Sequence, residues 1–149
     1  MALRMNTLVL CSPEIETPPL YRKLGLGPRA RQTKVMTFHP PCQVRIHITT
    51  TSGGHSTNVF ILNAMTPETD TSCHYHWAVA RDFEVANRDM TALMQAETVK
   101  AFTEDKVMVE AQQRTIAFEP DSPFVSVVGD AGGVQARRLV DELVGKRQP

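Results

Sequence analysis

What the chain has little of narrows it first. Its 149 residues include 3 cysteines, Cys11, Cys42 and Cys73, odd in number, widely spaced and outside any C-x-x-C pattern. That excludes a disulfide framework and a zinc knuckle, and a reducing cytoplasm is the expected setting. Net charge is absent too. The 16 basic and 16 acidic residues cancel, which removes the electrostatic footprint of a nucleic-acid binder or a membrane-surface protein and leaves a small neutral partner as the expectation. No apolar run is long enough to span a bilayer, and the N-terminal Met-Ala-Leu-Arg-Met-Asn lacks the apolar core and cleavage site of a secretory signal. Repeats, low-complexity tracts and a second-domain boundary are missing as well. One modest domain over residues 1–149 is expected.

What is there is a β-rich first half followed by an α-rich second half, the pattern of an α+β domain with an antiparallel sheet and long C-terminal helices. Strands are expected over Thr7–Cys11, Lys34–His39, Val44–Thr50, Asn58–Met65 and Ser72–Arg81, with turns at Pro40-Pro41, Gly53-Gly54 and Pro67. Val44, Ile46 and Ile48 alternate with Arg45 and His47, so one face of that strand is buried and the other wet. Val59-Phe-Ile-Leu62 is apolar on both sides, which marks a central strand or one covered by a helix. Between Ser12 and Thr33 the chain reads as a surface excursion with a short helical turn at Leu20–Leu24. From about Asp89 the period becomes helical: Met90, Leu93, Met94 and Glu97 mark one helix, the segment around Asp105 forms the next, and Pro120 and Pro123 stop it. A last helix follows Asp130, a reasonable N-cap, with Ala136, Leu139, Val140 and Leu143 as its buried stripe and the pairs Arg137/Asp141 and Arg138/Glu142 outside.

Four features carry candidate chemistry. Asp105, Met108, Val109, Gln112 and Ile116 share one side of a helix, so Asp105 is expected to point inward. An inward carboxylate needs a hydrogen bond, an ion pair or a metal; a first-turn acid answering the helix dipole or an arginine is the plainer reading. His74 and His76 stand two apart on a strand and face one side, as a transition-metal chelate requires, although the glutamate and later histidine of a cupin site are missing. Packing and hydrogen bonding are the alternative roles for this pair. Asn63, a polar amide within Phe60–Met65, must find a partner when buried, either a cross-strand group or a ligand. Gly25-Leu-Gly27 superficially opens a dinucleotide fingerprint, but Pro28 interrupts it and no βαβ unit surrounds it. No G-x-S-x-G elbow or other nucleophile motif is present.

Three segments in order resemble a known family. Thr66-Pro-Glu-Thr-Asp-Thr-Ser-Cys-His-Tyr-His-Trp-Ala-Val-Ala-Arg-Asp-Phe83 is similar to a strand segment of the Rieske-type non-haem iron aromatic oxygenases of the vanillate and dicamba O-demethylase group. Glu104-Asp-Lys-Val-Met-Val-Glu-Ala-Gln-Gln-Arg114 resembles their metal-ligand helix, and Asp130-Ala-Gly-Gly-Val-Gln-Ala-Arg-Arg-Leu139 their terminal helix. The resemblance covers most of the chain from about Thr33 onward. It implies a partial helix-grip catalytic domain, with Asp105 as the carboxylate ligand of a mononuclear non-haem iron and with Asn63 and His74 lining a pocket for a small aromatic molecule. Where an aromatic residue is expected, His76 stands instead.

The resemblance also implies what this chain does without. The C-x-H and C-x-x-H ligand pairs of a Rieske cluster are absent as a set, and His39, His47, His55, His74 and His76 do not match the two iron-binding histidines, which precede the sheet in the family. The expectation is therefore a C-terminal part of an O-demethylating monooxygenase for aromatic compounds, not active alone. The complete system would use a reductase and form a homotrimer. A metal-free module binding a small apolar ligand and a non-functional remnant are the competing classes.

Overall fold

A computed structural model describes residues 6–123 and 125–145; most of the N-terminal stretch read above lies outside the described residues. The elements are β1 (Asn6–Cys11), β2 (Ile15–Glu16), α1 (Pro19–Lys23), β3 (Arg29–His39), β4 (Gln43–Ser52), β5 (His55–Pro67), β6 (Cys73–Arg81), α2 (Arg88–Phe118), a 3-10 turn (Val128–Asp130) and α3 (Ala131–Gly145). The sheet runs β1-β3-β4-β5-β6 with every pair antiparallel, and β2 pairs with β3. All five expected strands are present, β3, β4 and β5 longer than expected. The β4–β5 hairpin turns on Gly53 and Gly54, whose φ values of +56° and +82° are those a two-residue loop of matching twist demands.

Side chains alternate across this sheet, so the register sorts them into two faces. Leu8, Met36, Ile46, Ile61 and Val79 lie across from one another on one face, with Phe38, Val44, Asn63 and Trp77 beside them. This face also carries α1 and α3: Tyr21 of α1 hydrogen-bonds Thr50 and meets the Phe83 ring edge-on, 6.3 Å between centroids, and Gly132 of α3 sits against the Leu8 side chain. Gly132 matters there, since a Cβ would stand 3.3 Å from Leu8 Cδ2. The opposite face presents Val35, His47, Phe60 and Ala80 in one row and Ala64 and His76 in another.

The buried core gathers at the hairpin end of the helix-bearing face. Thr17, Tyr21, Leu26, Ala30, Thr50, Thr57 and Val59 are buried there, and burial raises the Tyr21 phenol pKa despite its bond to Thr50. Val59 alone contributes about 1.5–3 kcal/mol by leaving water. Gly27 passes so close to Ser52 that a Cβ would meet its Oγ at 3.0 Å, which explains a glycine at this position without any phosphate to cradle.

Contacts divide the chain into two compact units, residues 1–83 with 126–149, and residues 84–125; the sequence alone shows no such boundary. In the second unit, the two expected helices are one. Residues 88–118 contain no Gly or Pro, so nothing interrupts the i to i−4 hydrogen bonds of α2. Asn87 caps it, its Oδ1 accepting the Met90 N–H at 3.0 Å. Asp130 stands in the 3-10 turn ahead of α3 and accepts the Val127 N–H at 3.0 Å; it therefore closes that turn and does not cap α3 directly. The α3 stripe of Ala136, Leu139, Val140 and Leu143 is half-buried as expected, and Arg137, Arg138, Asp141 and Glu142 are exposed.

Candidate functional site

Asn63 lies in the middle of β5, opposite Val44 on one side and Trp77 on the other. It is buried, and the Tyr75 hydroxyl donates to its Oδ1 at 2.7 Å. Tyr75 faces Met65, so the contact is the diagonal one that a long side chain reaches on an antiparallel pair. The amide thus has the cross-strand partner that its burial demands. Oδ1 is taken by Tyr75, and Val44, Met65 and Trp77, the chain's single tryptophan, share the face that carries Asn63. An apolar wall with one oriented amide suits an aromatic molecule carrying an acceptor group.

His74 does not share that wall. Asn63 pairs with Trp77, and His74 and His76 sit three residues and one residue from Trp77, so both project from the opposite face. The expectation that Asn63 and His74 line one pocket fails on this parity alone. Both histidines are exposed, their ring centroids 6.2 Å apart. Asp105 also departs from expectation: it is exposed on α2, a helix without a buried residue. The spacing from Asp105 to Ile116 identifies residues on one face, and Met108 and Val109 on that face are 71% and 62% exposed. Among the described residues, no group of three or more His, Cys, Asp or Glu gathers to hold a metal ion.

A polar network unforeseen in the sequence occupies the His74 face near the hairpin. The Asn58 side chain donates to Asp82 Oδ2 at 2.6 Å, its backbone N–H donates to Asp82 Oδ1 at 2.7 Å, and its Oδ1 meets His47 Nε2 and the Thr49 hydroxyl at 2.8 Å each. Asp82 thereby fixes the amide's orientation, and the amide fixes the imidazole's, with Nε2 as its donor nitrogen. The His47 ring also stacks on Phe60 with centroids 4.3 Å apart. The two Asn58 donors hold the Asp82 carboxyl below the usual carboxylate range, with a smaller contribution from His47. The polar types at alternate positions of β4 and β5 were the available signal, but their pairing depends on register.

No helix among the described residues is long and apolar enough to cross a membrane. The three cysteines are free.

Comparison with known proteins places these features. The family described as "Vanillate O-demethylase oxygenase C-terminal domain" matches residues 10–146. A vanillate O-demethylase oxygenase subunit of Pseudomonas sp. is 33% identical over 120 residues, which are 74% of this chain and 36% of that protein. A putative toluene-4-sulfonate monooxygenase system iron-sulfur subunit of Comamonas testosteroni is 42% identical over 79 residues, 53% of this chain and 23% of the relative. The chain thus spans about a third or less of the length of these relatives. In fold it is similar to dicamba monooxygenase bound to 3,6-dichlorosalicylic acid, with a TM-score of 0.85 at 20% identity, over 97% of this chain and 46% of that one. That similarity bears out the antiparallel α+β fold expected from the residues and the helix-grip type that the resemblance implies.

Proposed function

The chain belongs to the vanillate O-demethylase oxygenase C-terminal domain family, and from that premise we propose that it serves as the substrate-holding part of a Rieske-type aromatic oxygenase. The observation that carries this reading is the buried Asn63, oriented by Tyr75 on an otherwise apolar face beside Trp77. Its Nδ2 donors would take the oxygen of a methoxy, hydroxyl or carboxylate group while the ring lies against Met65 and Trp77. His74, on the other face, has no part in that pocket.

Asp105 is the carboxylate this chain would give to a mononuclear iron in the complete family enzyme. Its own donor set does not fit the metal by itself, because a facial triad needs two imidazoles and none of the described histidines gathers with Asp105 in a three-residue group. Ferrous iron binding and oxidative turnover would therefore depend on histidines from another part of such an enzyme, and electrons on a Rieske cluster and a reductase. A homotrimer and a cytoplasmic setting complete the reading; the three free thiols support the latter. The exposed Asp105 equally supports a second reading, a metal-free module binding an aromatic ligand.

Titration with 3,6-dichlorosalicylic acid, the ligand of the similar structure, followed by Trp77 fluorescence tests the pocket. Saturable quenching is expected. Its absence, for this acid and for methoxybenzoates, overturns the substrate-holding reading. Anaerobic titration with ferrous iron separates the remaining claims: no tight binding is expected from this chain, and stoichiometric binding that Asp105→Ala removes would overturn its dependence on outside histidines.

A further inference from the structure

We propose that β6 is a docking edge for the β6 of a second copy of this chain, the two strands pairing antiparallel about a two-fold axis at Trp77. The inference is independent of the substrate-holding reading and of the family's trimer. Its first element is the end of the sheet. Among the described residues β6 has a strand neighbour, β5, on one side only, and Cys73, His74, Tyr75, His76, Ala78 and Ala80 are exposed. The other edge, β1, is 6 residues long against the 9 of β6 and has α3 beside it, with Gly132 at the Leu8 side chain. β6 carries none of the devices that keep an edge strand from pairing. It has no proline or lysine, its one formally charged residue is the terminal Arg81, and its register with β5 runs without a skipped residue.

The second element is the direction of the backbone. The Asp82 N–H donates to the Asn58 carbonyl at 3.3 Å, and this pair continues the register of Val59↔Arg81, so it is a hydrogen-bonded position of the ladder. Such positions alternate along an antiparallel pair. His74, His76, Ala78 and Ala80 therefore direct their N–H and C=O groups toward β5, whereas Cys73, Tyr75, Trp77, Val79 and Arg81 direct theirs to the outer side. The Met65 N–H, which donates away from β6 to the Cys42 carbonyl at 3.0 Å, agrees with that phase.

The third element is that β6 complements itself. Two-fold pairing about Trp77 uses the whole strand and sets the outward-directed residues opposite one another: Trp77 meets Trp77, Tyr75 meets Val79, and Cys73 meets Arg81. Between them His74 meets Ala80 and His76 meets Ala78, a large side chain beside a small one each time. Acids and bases of one sign never stand opposed. Paired aromatics and an aromatic beside a β-branched residue are cross-strand contacts that stabilise a sheet, and here they carry the helix-bearing face on into the second copy. Because both copies present the same strand, the interface closes at two. One strand a side is a small contact, so the dimer is weak and depends on concentration.

Sedimentation equilibrium of the full chain from about 10 to about 500 μM tests this, the range in which a weak dimer forms. The average mass should rise from 16.6 kDa toward twice that value. Ala78→Lys, an exposed change that sets a charge beside the two-fold axis, should weaken association at least about tenfold. Thr66→Lys, one strand inward on the same face, should leave it unchanged. Hydrogen exchange locates the contact: the Tyr75, Trp77 and Val79 amides should exchange at least about fivefold more slowly at the high concentration than at the low one. A mass of 16.6 kDa at every concentration, or one rising toward three times that value, overturns the proposal. So does a dimer that Ala78→Lys leaves intact, or one whose β6 amides exchange at the same rate at both concentrations.

Discussion

The two faces of the sheet use alternate residues of the same strands, yet they do different work. One face meets α1 and α3, buries Thr50, Thr57 and Val59 at the hairpin end, and carries Asn63 among apolar neighbours. The other leaves Phe60 and Leu62 about two-fifths exposed and holds its polar groups in hydrogen-bonded sets, His47 with Asn58 and Asp82, and Glu68 with the turn before His74. The lesson is one of parity. A single residue's step along β6 decides whether a side chain joins the apolar wall, as Tyr75 does, or leaves it, as His74 does.

Adjacent residues on β5 give the largest expected contrast. Val59→Ala should destabilise the protein by about 2–3 kcal/mol through lost burial and a cavity, whereas Phe60→Ala, losing a larger but half-exposed ring, should cost about 1 kcal/mol. Urea denaturation of both variants checks this; equal costs would break the distinction between the faces. Next comes Asn63→Ala, expected to weaken 3,6-dichlorosalicylate binding about tenfold, the loss of about 1.4 kcal/mol that one oriented hydrogen bond supplies.

Asp82→Asn is expected to cost less than about 1 kcal/mol at neutral pH, because the carboxylate's hydrogen bonds are solvent-exposed. Since the folded-state pKa of Asp82 lies below its unfolded value, its contribution is present above the unfolded value near pH 4 and is lost as pH falls through the folded one. Wild type should therefore lose stability over that acid window more steeply than Asp82→Asn, as thermal melts between pH 7 and pH 2 would report. The smallest effect is expected for Tyr75→Phe, which frees Asn63 Oδ1 on a partly accessible surface: a change of about threefold in ligand affinity, or roughly 0.6 kcal/mol.

Much of the fold was legible because its punctuation is chemical. Pro40-Pro41, Gly53-Gly54 and Pro67 separate strands whose β-branched and aromatic residues have no competing helical period. β2 escaped notice because Ile15 and Glu16 are a strand only through pairing with Ala30 and Arg29, a partner no local pattern reveals. α2 was divided in two because its apolar stripe weakens between Glu97 and Phe102, although no residue there breaks a helix. The site was less legible. Periodicity groups Asp105 with Met108 and Val109 but does not say what covers that face, so the inward carboxylate was an inference from pattern to burial that the exposures do not sustain. Asn63 was legible as a buried amide; its partner Tyr75, twelve residues away, required the register.

The most direct test of the account compares the two faces by one titration. Trp77 fluorescence should follow 3,6-dichlorosalicylate binding to wild type and to His74→Ala alike, and should show binding weakened about tenfold in Asn63→Ala. Loss of binding in His74→Ala with Asn63→Ala unaffected would place the ligand on the opposite face and contradict the account.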